Sequence, residues 1–464
     1  MKGKIMTERK KDLTTGPVFS QMLKYALPLM ATGILQLLYN AADTIVVGRF
    51  SAESETSLAA VGSTGSLTTL ILNLILGLSA GATVVVAQAY GAKDKEAVEK
   101  AVHTAMAISV IGGIIFGLIG FFGARTFLGL MDSPPDVIGK ASLYMRICFI
   151  GVPVNVIYNF GSSILRATGD TKRPLIILST TGIINVLLNL FLVVVFKMDV
   201  AGVAIATVVS QLLSAIAVVY ILLRSDDWVK LSFSKLKIDK RQLAGILRMG
   251  IPSGIQSSMF GISNVIVQTA VNSLSSAMMA GNTIAANLGG FTYTVMNSFF
   301  HATLAFTGQS YGARNYSRVN RVLWIGIIQV TVVGLTVGCG ELLFGEQLVG
   351  LYNKDPEVMG AAIYRMSIML PTYFLCGIME VVAASLRGMG CSVIPMISSV
   401  FGACLVRSGW ILIVFEAYRT PLALYASYPV SWLSTLLLHT ITLVIVKWRQ
   451  RAVRVKDGPV AENI

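Results

Sequence analysis

Charge is what this chain has least of. Only 13% of its 464 residues are Asp, Glu, Lys or Arg, about half the share of a soluble domain, which excludes a solvated surface over most of its length. Acidic residues are the scarcer sign, 23 against 37 basic ones. The net charge of +14 would suit nucleic acid, but no aromatic-interleaved basic patch or nucleic-acid motif accompanies it, so nucleic acid is not expected as a partner. Cysteine is sparse. Cys148, Cys339, Cys376, Cys391 and Cys404 lie in or beside apolar segments without ligand spacing, so neither a disulfide framework nor a thiolate metal site is implied. The three histidines, His103, His301 and His439, are far apart and form no metal motif. The chain has no G-x-x-x-x-G-K-[ST], which excludes a phosphate-cradling loop for ATP hydrolysis. It also shows no His/Asp/Glu constellation of the kind an integral membrane enzyme needs. No cofactor is expected, and the chain is not read as an enzyme.

What it has in quantity is apolar length: 54% of residues are hydrophobic. Segments long enough to span a bilayer recur at 20–48, 58–86, 98–122, 138–162, 174–196, 199–223, 243–271, 282–308, 322–344, 359–384, 395–416 and 424–447. The expected fold is an all-α integral membrane protein with twelve transmembrane helices, in contact with the lipid bilayer. The polar, basic start from Met1 to Gly16 is followed by an apolar stretch too long for a signal-peptide core, so that stretch is read as a retained helix. Lys and Arg concentrate in alternate loops. One side carries Lys2, Lys4, Arg9, Lys10, Lys11, Lys93, Lys95, Arg166, Lys172, Arg173, Arg314, Arg318, Arg321 and the basic stretches 224–248 and 447–456. The other side holds little beyond Arg49, Arg125, Lys140, Lys197, Lys354 and Arg419. The positive-inside rule puts both termini in the cytoplasm of a cell-membrane protein. The expected organisation is a cytoplasmic tail over 1–19, a first lobe over 20–223, a cytoplasmic linker over 224–242, a second lobe over 243–447 and a basic tail over 448–464.

The two lobes are copies. Gln88-Ala-Tyr-Gly-Ala-Lys93 recurs as Gln309-Ser-Tyr-Gly-Ala-Arg314, and Ile164-Leu-Arg166-Ala-Thr-Gly169 recurs as Ser385-Leu-Arg387-Gly-Met-Gly390, both 221 positions on. Six helices per copy is an even number, so the repeats are parallel, as in rocker-type transporters. Gly91 and Gly312 are expected to end helices as left-handed caps.

Asp43 is the only carboxylate between Leu13 and Glu53, and it lies in an apolar segment that also contains Pro28. Gln36, Asn40 and Asp43 fall at i, i+4 and i+7, on one helical face beside Tyr39. A carboxylate within the membrane costs roughly 2.5–3.5 kcal/mol on insertion scales, and such residues usually face a cavity or a partner. Three further polar stripes occur in the same lobe: Asn155 with Asn159, Asn185 with Asn189, and Thr207 with Gln211 and Ser214. One amide pair alone reads as helix–helix glue; three beside Asp43 read as a lined cavity. One carboxylate with amide and hydroxyl oxygens suits a hard cation and equally a proton, because desolvation favours a neutral acid.

Pro28, the Asp43-Thr-Ile-Val-Val-Gly-Arg49 run, the paired Gln-x-Tyr-Gly-Ala turns, Leu-Arg-x-x-Gly and Val200-Ala-Gly-Val-Ala-Ile-Ala-Thr207 together resemble the multidrug and toxic compound extrusion (MATE) transporters over nearly the whole chain. The resemblance implies two lobes in a V that alternate access, exporting organic, often cationic, compounds in exchange for H⁺ or Na⁺. It implies that Asp43 takes part in ion coupling and that Pro28 is a hinge. It also exposes a departure: members of the related type carry aspartate at the position matching Asn189 and asparagine at that matching Asn185. The expected function is therefore a cation-coupled secondary antiporter for hydrophobic, cationic small molecules, acting as a monomer. The alternative is a lipid-linked precursor flippase or polysaccharide exporter of the same superfamily.

The second lobe has no Asp43 equivalent; Val267 and Gln268 stand there. It carries Glu380, at the 221 offset from Asn159, and Arg407 on the next helix. Opposite charges there suggest an ion pair bracing the lobe, or a second coupling or substrate site. Gln256, Asn297 and His301 complete its polar candidates. Met278, Met279 and Met296 suit either packing or an adaptable substrate wall.

Overall fold

Polar backbone in lipid must be satisfied within its own segment, so each apolar run is expected to be helical. The computed structural model describes residues 12–50, 54–130 and 135–456. Lys2, Lys4, Arg9, Lys10 and Lys11 lie outside these residues, as does Glu53, and the side chain of Arg49 is not among those described. The described residues contain twelve long helices and no strand. These are α1 Val18–Phe50, α2 Ser54–Gly91, α3 Lys95–Leu130, α4 Pro135–Ala167, α5 Lys172–Val195 and α6 Asp199–Leu223. The second set is α7 Lys240–Asn272, α8 Ser276–Gly312, α9 Tyr316–Leu343, α10 Pro356–Gly388, α11 Val393–Tyr418 and α12 Pro421–Lys456. A short helix, Gly345–Gly350, precedes α10. Ten of the twelve are long and apolar enough to cross a membrane. The other two, α7 and α8, are 33 and 37 residues long but are diluted by Ser, Asn, Gln and Gly.

Pro28, Pro153, Pro252 and Pro429 sit inside helices that continue through them. Regularity breaks elsewhere. The last turn of α5, Phe191–Val195, is π-helical, and α11 has π-helical stretches at Val400–Val406 and Ile411–Phe415. Such turns are rare and gather at functional positions. Here they flank Asn189 and Arg407.

Chain contacts divide the protein into two compact units, Met1–Ser258 with Gly308–Val319, and Met259–Thr307 with Asn320–Ile464. In the first, α4 packs on α2, α3 and α6 around a core that includes Met145, Phe149, Phe160, Ile164 and Leu222. In the second, α12 packs on α10 and α11.

The repeated glycine turns differ from the expected caps. Gly91 and Gly312 do end α2 and α8, but the left-handed residues are Lys93 (φ 56) and Arg314 (φ 57). The glycines serve closeness instead. A Cβ on Gly91 would stand 2.0 Å from the Gln309 carbonyl oxygen, and one on Gly312 2.0 Å from that of Gln88. The two copies of the motif thus cross backbone to backbone. Gly77 meets Gly254, and Gly81 meets Gly250, in the same way along α2 and α7, the small-residue packing by which membrane helices approach closely.

Two polar segments are held on the first unit. In the linker, Tyr90 Oη donates to Asp227 (3.0 Å), Lys95 lies over the Trp228 ring (5.4 Å), and the Ser232 amide donates to His103 Nε2 (3.1 Å). At the N-terminal end, the Arg318 guanidinium donates to the carbonyls of Leu13, Thr15 and Gly16, each at 2.8 Å, and to Gln21 Oε1 at 3.0 Å.

Candidate functional site

Asp43 is half-buried on α1 and meets α5, where Asn189 Nδ2 donates to its Oδ1. Asn189 is fully buried. Its Nδ2 also donates to Asn185 Oδ1 (3.3 Å), and Asn185 Nδ2 donates to Thr207 Oγ1 on α6 (3.5 Å). A relay of side chains therefore runs Asp43–Asn189–Asn185–Thr207 through three helices. It continues at the rear, where Ser210 Oγ donates to the Thr207 carbonyl (2.9 Å) and Ser214 Oγ to Thr181 Oγ1 (2.8 Å). Asn189 Oδ1 is buried with no hydrogen-bond partner. A buried carbonyl oxygen without a donor is uncommon in a folded protein.

Apolar side chains close the relay on one side. Val47 lies one turn past Asp43 on α1, Val193 one turn past Asn189 on α5, and Val203 one turn before Thr207 on α6. Together with Val46 they form a buried cluster. Below the relay, Tyr39 Oη donates to the Ser179 carbonyl (3.2 Å), and its ring fills the space where a Cβ on Gly182 would stand. Excluding water here strengthens every charge–dipole contact.

The expected stripe on α1 is split. Tyr39 and Asp43 turn toward α5, whereas Gln36 and Asn40 are exposed. Asn155 and Asn159 bond each other within α4, Asn159 Nδ2 donating to Asn155 Oδ1 at 2.9 Å, and do not join the Asp43 relay. Gln211 lies against Gly151 of α4. Pro28 is in mid-helix, and its carbonyl accepts from Thr32 Oγ1 (2.7 Å). Gln256 is buried in the first unit; Asn297 and His301 are partly buried in the second. Two residues without any stripe in the sequence belong to the neighbourhood: Tyr144 and Cys148 on α4 bond each other within electrostatic reach of Asp43.

The expected ion pair of Glu380 with Arg407 is replaced by two separate arrangements. Arg407 is 3% exposed. Its Nε and Nη2 donate to Ser431 Oγ (3.1 and 2.9 Å), its Nη1 to Asn264 Oδ1 (3.3 Å), and its guanidinium lies 4.4 Å from the Tyr428 ring centre. Glu380 instead feels Arg387, two turns along its own helix. The reason is local. The hydroxyl and ring presented by α12 capture the planar fork of Arg407, while Arg387 lies on the same face of α10 as Glu380.

Comparison with known proteins gives the family and the fold. The family model MatE matches residues 28–191 and 252–409. The chain is similar to the probable multidrug resistance protein YoeA of Bacillus subtilis, 27% identical with 94% of each protein covered. It is also similar to the probable multidrug resistance protein NorM of Thermotoga maritima, 23% identical over 94% of each. In fold it is similar to a structure described as the outward-facing conformation of a multidrug resistance MATE family transporter, with a TM-score of 0.87 and 22% identity, covering 96% of this chain and 99% of that one. A structure of MATE in complex with MaD3S gives 0.86 and 23% over the same shares.

Proposed function

The chain belongs to the MatE family, and from that premise we propose that it is a secondary exporter of hydrophobic, cationic small molecules, an antiporter driven by inward movement of H⁺ or Na⁺. The names of its relatives, probable multidrug resistance proteins, support drugs as the cargo. The observation that carries the coupling is the hydrogen bond from Asn189 to Asp43, with Asn189 Oδ1 left unpartnered beside it. A cation arriving at this carboxylate neutralises it and meets amide and hydroxyl oxygens already turned inward. A proton does the same by converting the carboxylate to a neutral acid. Either event changes what α1 and α5 can offer each other, and discharge of one buried charge is a large enough change to bias a two-state element. Both termini and the linker face the cytoplasm in this reading, from the placement of Lys and Arg, and the protein works as a monomer.

The test is export of a lipophilic cation from vesicles under separately imposed pH and sodium gradients, for wild type and Asp43→Asn. Gradient-driven export by wild type and its loss in Asp43→Asn, at equal insertion, are the expected results. Export by Asp43→Asn at the wild-type rate overturns the assignment.

A further inference from the structure

The polar segment that precedes the first helix of each repeat is fastened to the third helix of the other repeat, and both fastenings lie in the first compact unit. The segment before α1 is held by Arg318 of α9, and the one before α7 by His103 and Thr104 of α3. Arginine keeps its charge at every physiological pH. Histidine does not, and the two ring nitrogens of His103 have opposite partners. Nδ1 lies 2.7 Å from the Glu99 carbonyl oxygen, which can only accept. Nε2 lies 3.1 Å from the Ser232 amide nitrogen, which can only donate. One protonation state satisfies both: a neutral ring with its hydrogen on Nδ1 and a free lone pair on Nε2. An imidazolium would set a second N–H against the Ser232 N–H. We propose that His103 is a pH-sensitive latch, holding the linker on α3 while its ring is neutral and releasing the stretch 232–238 when Nε2 takes a proton.

The ring is placed to answer to the pH on the face where the linker lies. His103 is buried, but it sits one turn beyond Glu99, whose carboxylate pairs at the surface with Lys235 of the linker (2.8 Å). Among the described residues no carboxylate bonds the ring to compensate a second proton. The charged groups of the elements around it have partners of their own. Glu99 on α3 is engaged by Lys235. On the linker, Asp239 accepts from the amides of Arg241 and Gln242 (3.0 Å each), and Asp227 accepts from Tyr90 of α2. On α4, Arg166 donates to Ser163 (2.9 Å). The other holds on the linker stand on either side of the stretch. Val229 and Leu231 are buried in the core before it, and the Asp239 amide donates to Thr104 Oγ1 (3.0 Å) after it. Residues 233–238 are exposed, so protonation of His103 lifts this middle part without detaching the linker.

The test is amide hydrogen exchange of the purified full-length protein in lipid nanodiscs between about pH 8 and pH 5, the interval in which an ordinary imidazole changes charge, each rate divided by the unstructured rate at that pH. Protection of the peptide covering 232–238 should fall roughly fivefold or more on acidification, the equivalent of one net hydrogen bond. Protection of residues 13–16, held by Arg318, should not follow it. His103→Gln supplies an amide oxygen that accepts from Ser232 at every pH and leaves Glu99 and Lys235 in place, so its linker should stay protected throughout. Ring-nitrogen NMR of labelled histidine should show the Nδ1–H tautomer at the alkaline end, for the wild-type signal that His103→Gln lacks. If the glutamine variant does not fold, the contrast between the two segments in wild type decides alone. The proposal is overturned if linker protection is constant across the interval, if it falls equally in His103→Gln or together with residues 13–16, or if the His103 ring carries its hydrogen on Nε2 at the alkaline end. None of these readouts depends on cargo or coupling ion, so failure of the Asp43 assignment in vesicle export would leave them untouched.

Discussion

The residue that distinguishes this site is Asn189, because it decides how Asp43 is held. Its amide donates to the carboxylate and strands its own oxygen. Asn189→Ala should therefore leave the helices packed yet weaken coupling by removing this hydrogen bond to Asp43, and uptake of a fluorescent cation at equal expression reads this out. Arg407 offers a second test at this scale. Bonds to a charged group are worth roughly 1.5–3 kcal/mol each, so Arg407→Gln should lower the melting temperature in detergent by several degrees. Arg407→Lys should not restore it, since an ammonium cannot serve Ser431, Asn264 and the Tyr428 ring with one planar group. Combined with Ser431→Ala the loss should be less than additive, whereas with Glu380→Gln it should be additive within about 0.5 kcal/mol. Coupling to Glu380 would restore the ion pair that the sequence suggests. Part of this was legible in advance. Asp43, Asn185, Asn189 and Thr207 are visible as polar positions at helical spacing in an apolar background, and the structure joins them. Which edge of the α1 stripe is buried was not visible. Successive residues step about 100° around a helix, so Tyr39, Asp43, Gln36 and Asn40 fan across one arc, and only the position of α5 turns the Tyr39–Asp43 edge inward.

At the scale of elements, the repeated motifs divide into those that touch the site and those that hold helices together. The Gln-x-Tyr-Gly-Ala turns belong to the second kind. The sequence shows that they are paired but not why glycine stands there, because a cap and a close crossing call for the same residue. Gly91→Ala distinguishes them. A cap substitution needs a positive φ to be costly, and Gly91 has none; a crossing substitution is costly because the new methyl would stand 2.0 Å from the Gln309 oxygen. The expected result is a loss of thermal stability of more than about 1 kcal/mol, beyond what a helix-propensity gain of similar size from Gly to Ala returns. A rise in melting temperature would mean that α2 and α8 do not meet there. Arg318→Gln should free the segment Leu13–Gly16 by withdrawing the bonds its guanidinium gives the carbonyls of Leu13, Thr15 and Gly16, and faster proteolytic cleavage of that segment in the intact protein measures it. The linker is the element whose character the sequence hid. It reads only as a basic cytoplasmic linker, yet Trp228, Val229 and Leu231 pack within the first unit, because a few apolar residues suffice to anchor a polar segment.

For the whole molecule, the deciding quantity is how much charge the first lobe holds between its two protonation states. With asparagine at 189 the Asp43 relay holds one carboxylate, and one proton discharges it completely, leaving a lobe that can rearrange without carrying net charge through lipid. Sodium would neutralise it as well, but it would rely on the oxygens of Asn185, Asn189 and Thr207 and forgo a second negative partner. At an effective dielectric near 20, an additional carboxylate about 4 Å away contributes roughly 4 kcal/mol of attraction before desolvation, and even a quarter of that is about a fivefold change in affinity. Protons should therefore suffice as the driving ion for this chain. Asn189→Asp converts the relay to two acids on neighbouring helices, which repel when both are ionised and are then best bridged by a cation. Wild-type vesicles should export under a pH gradient in sodium-free buffer and be little changed by added sodium, and Asn189→Asp should acquire a sodium requirement. Wild-type export that needs sodium and ignores the pH gradient would show that the amide oxygens alone complete a metal-cation site, and that the missing aspartate is not what selects the ion.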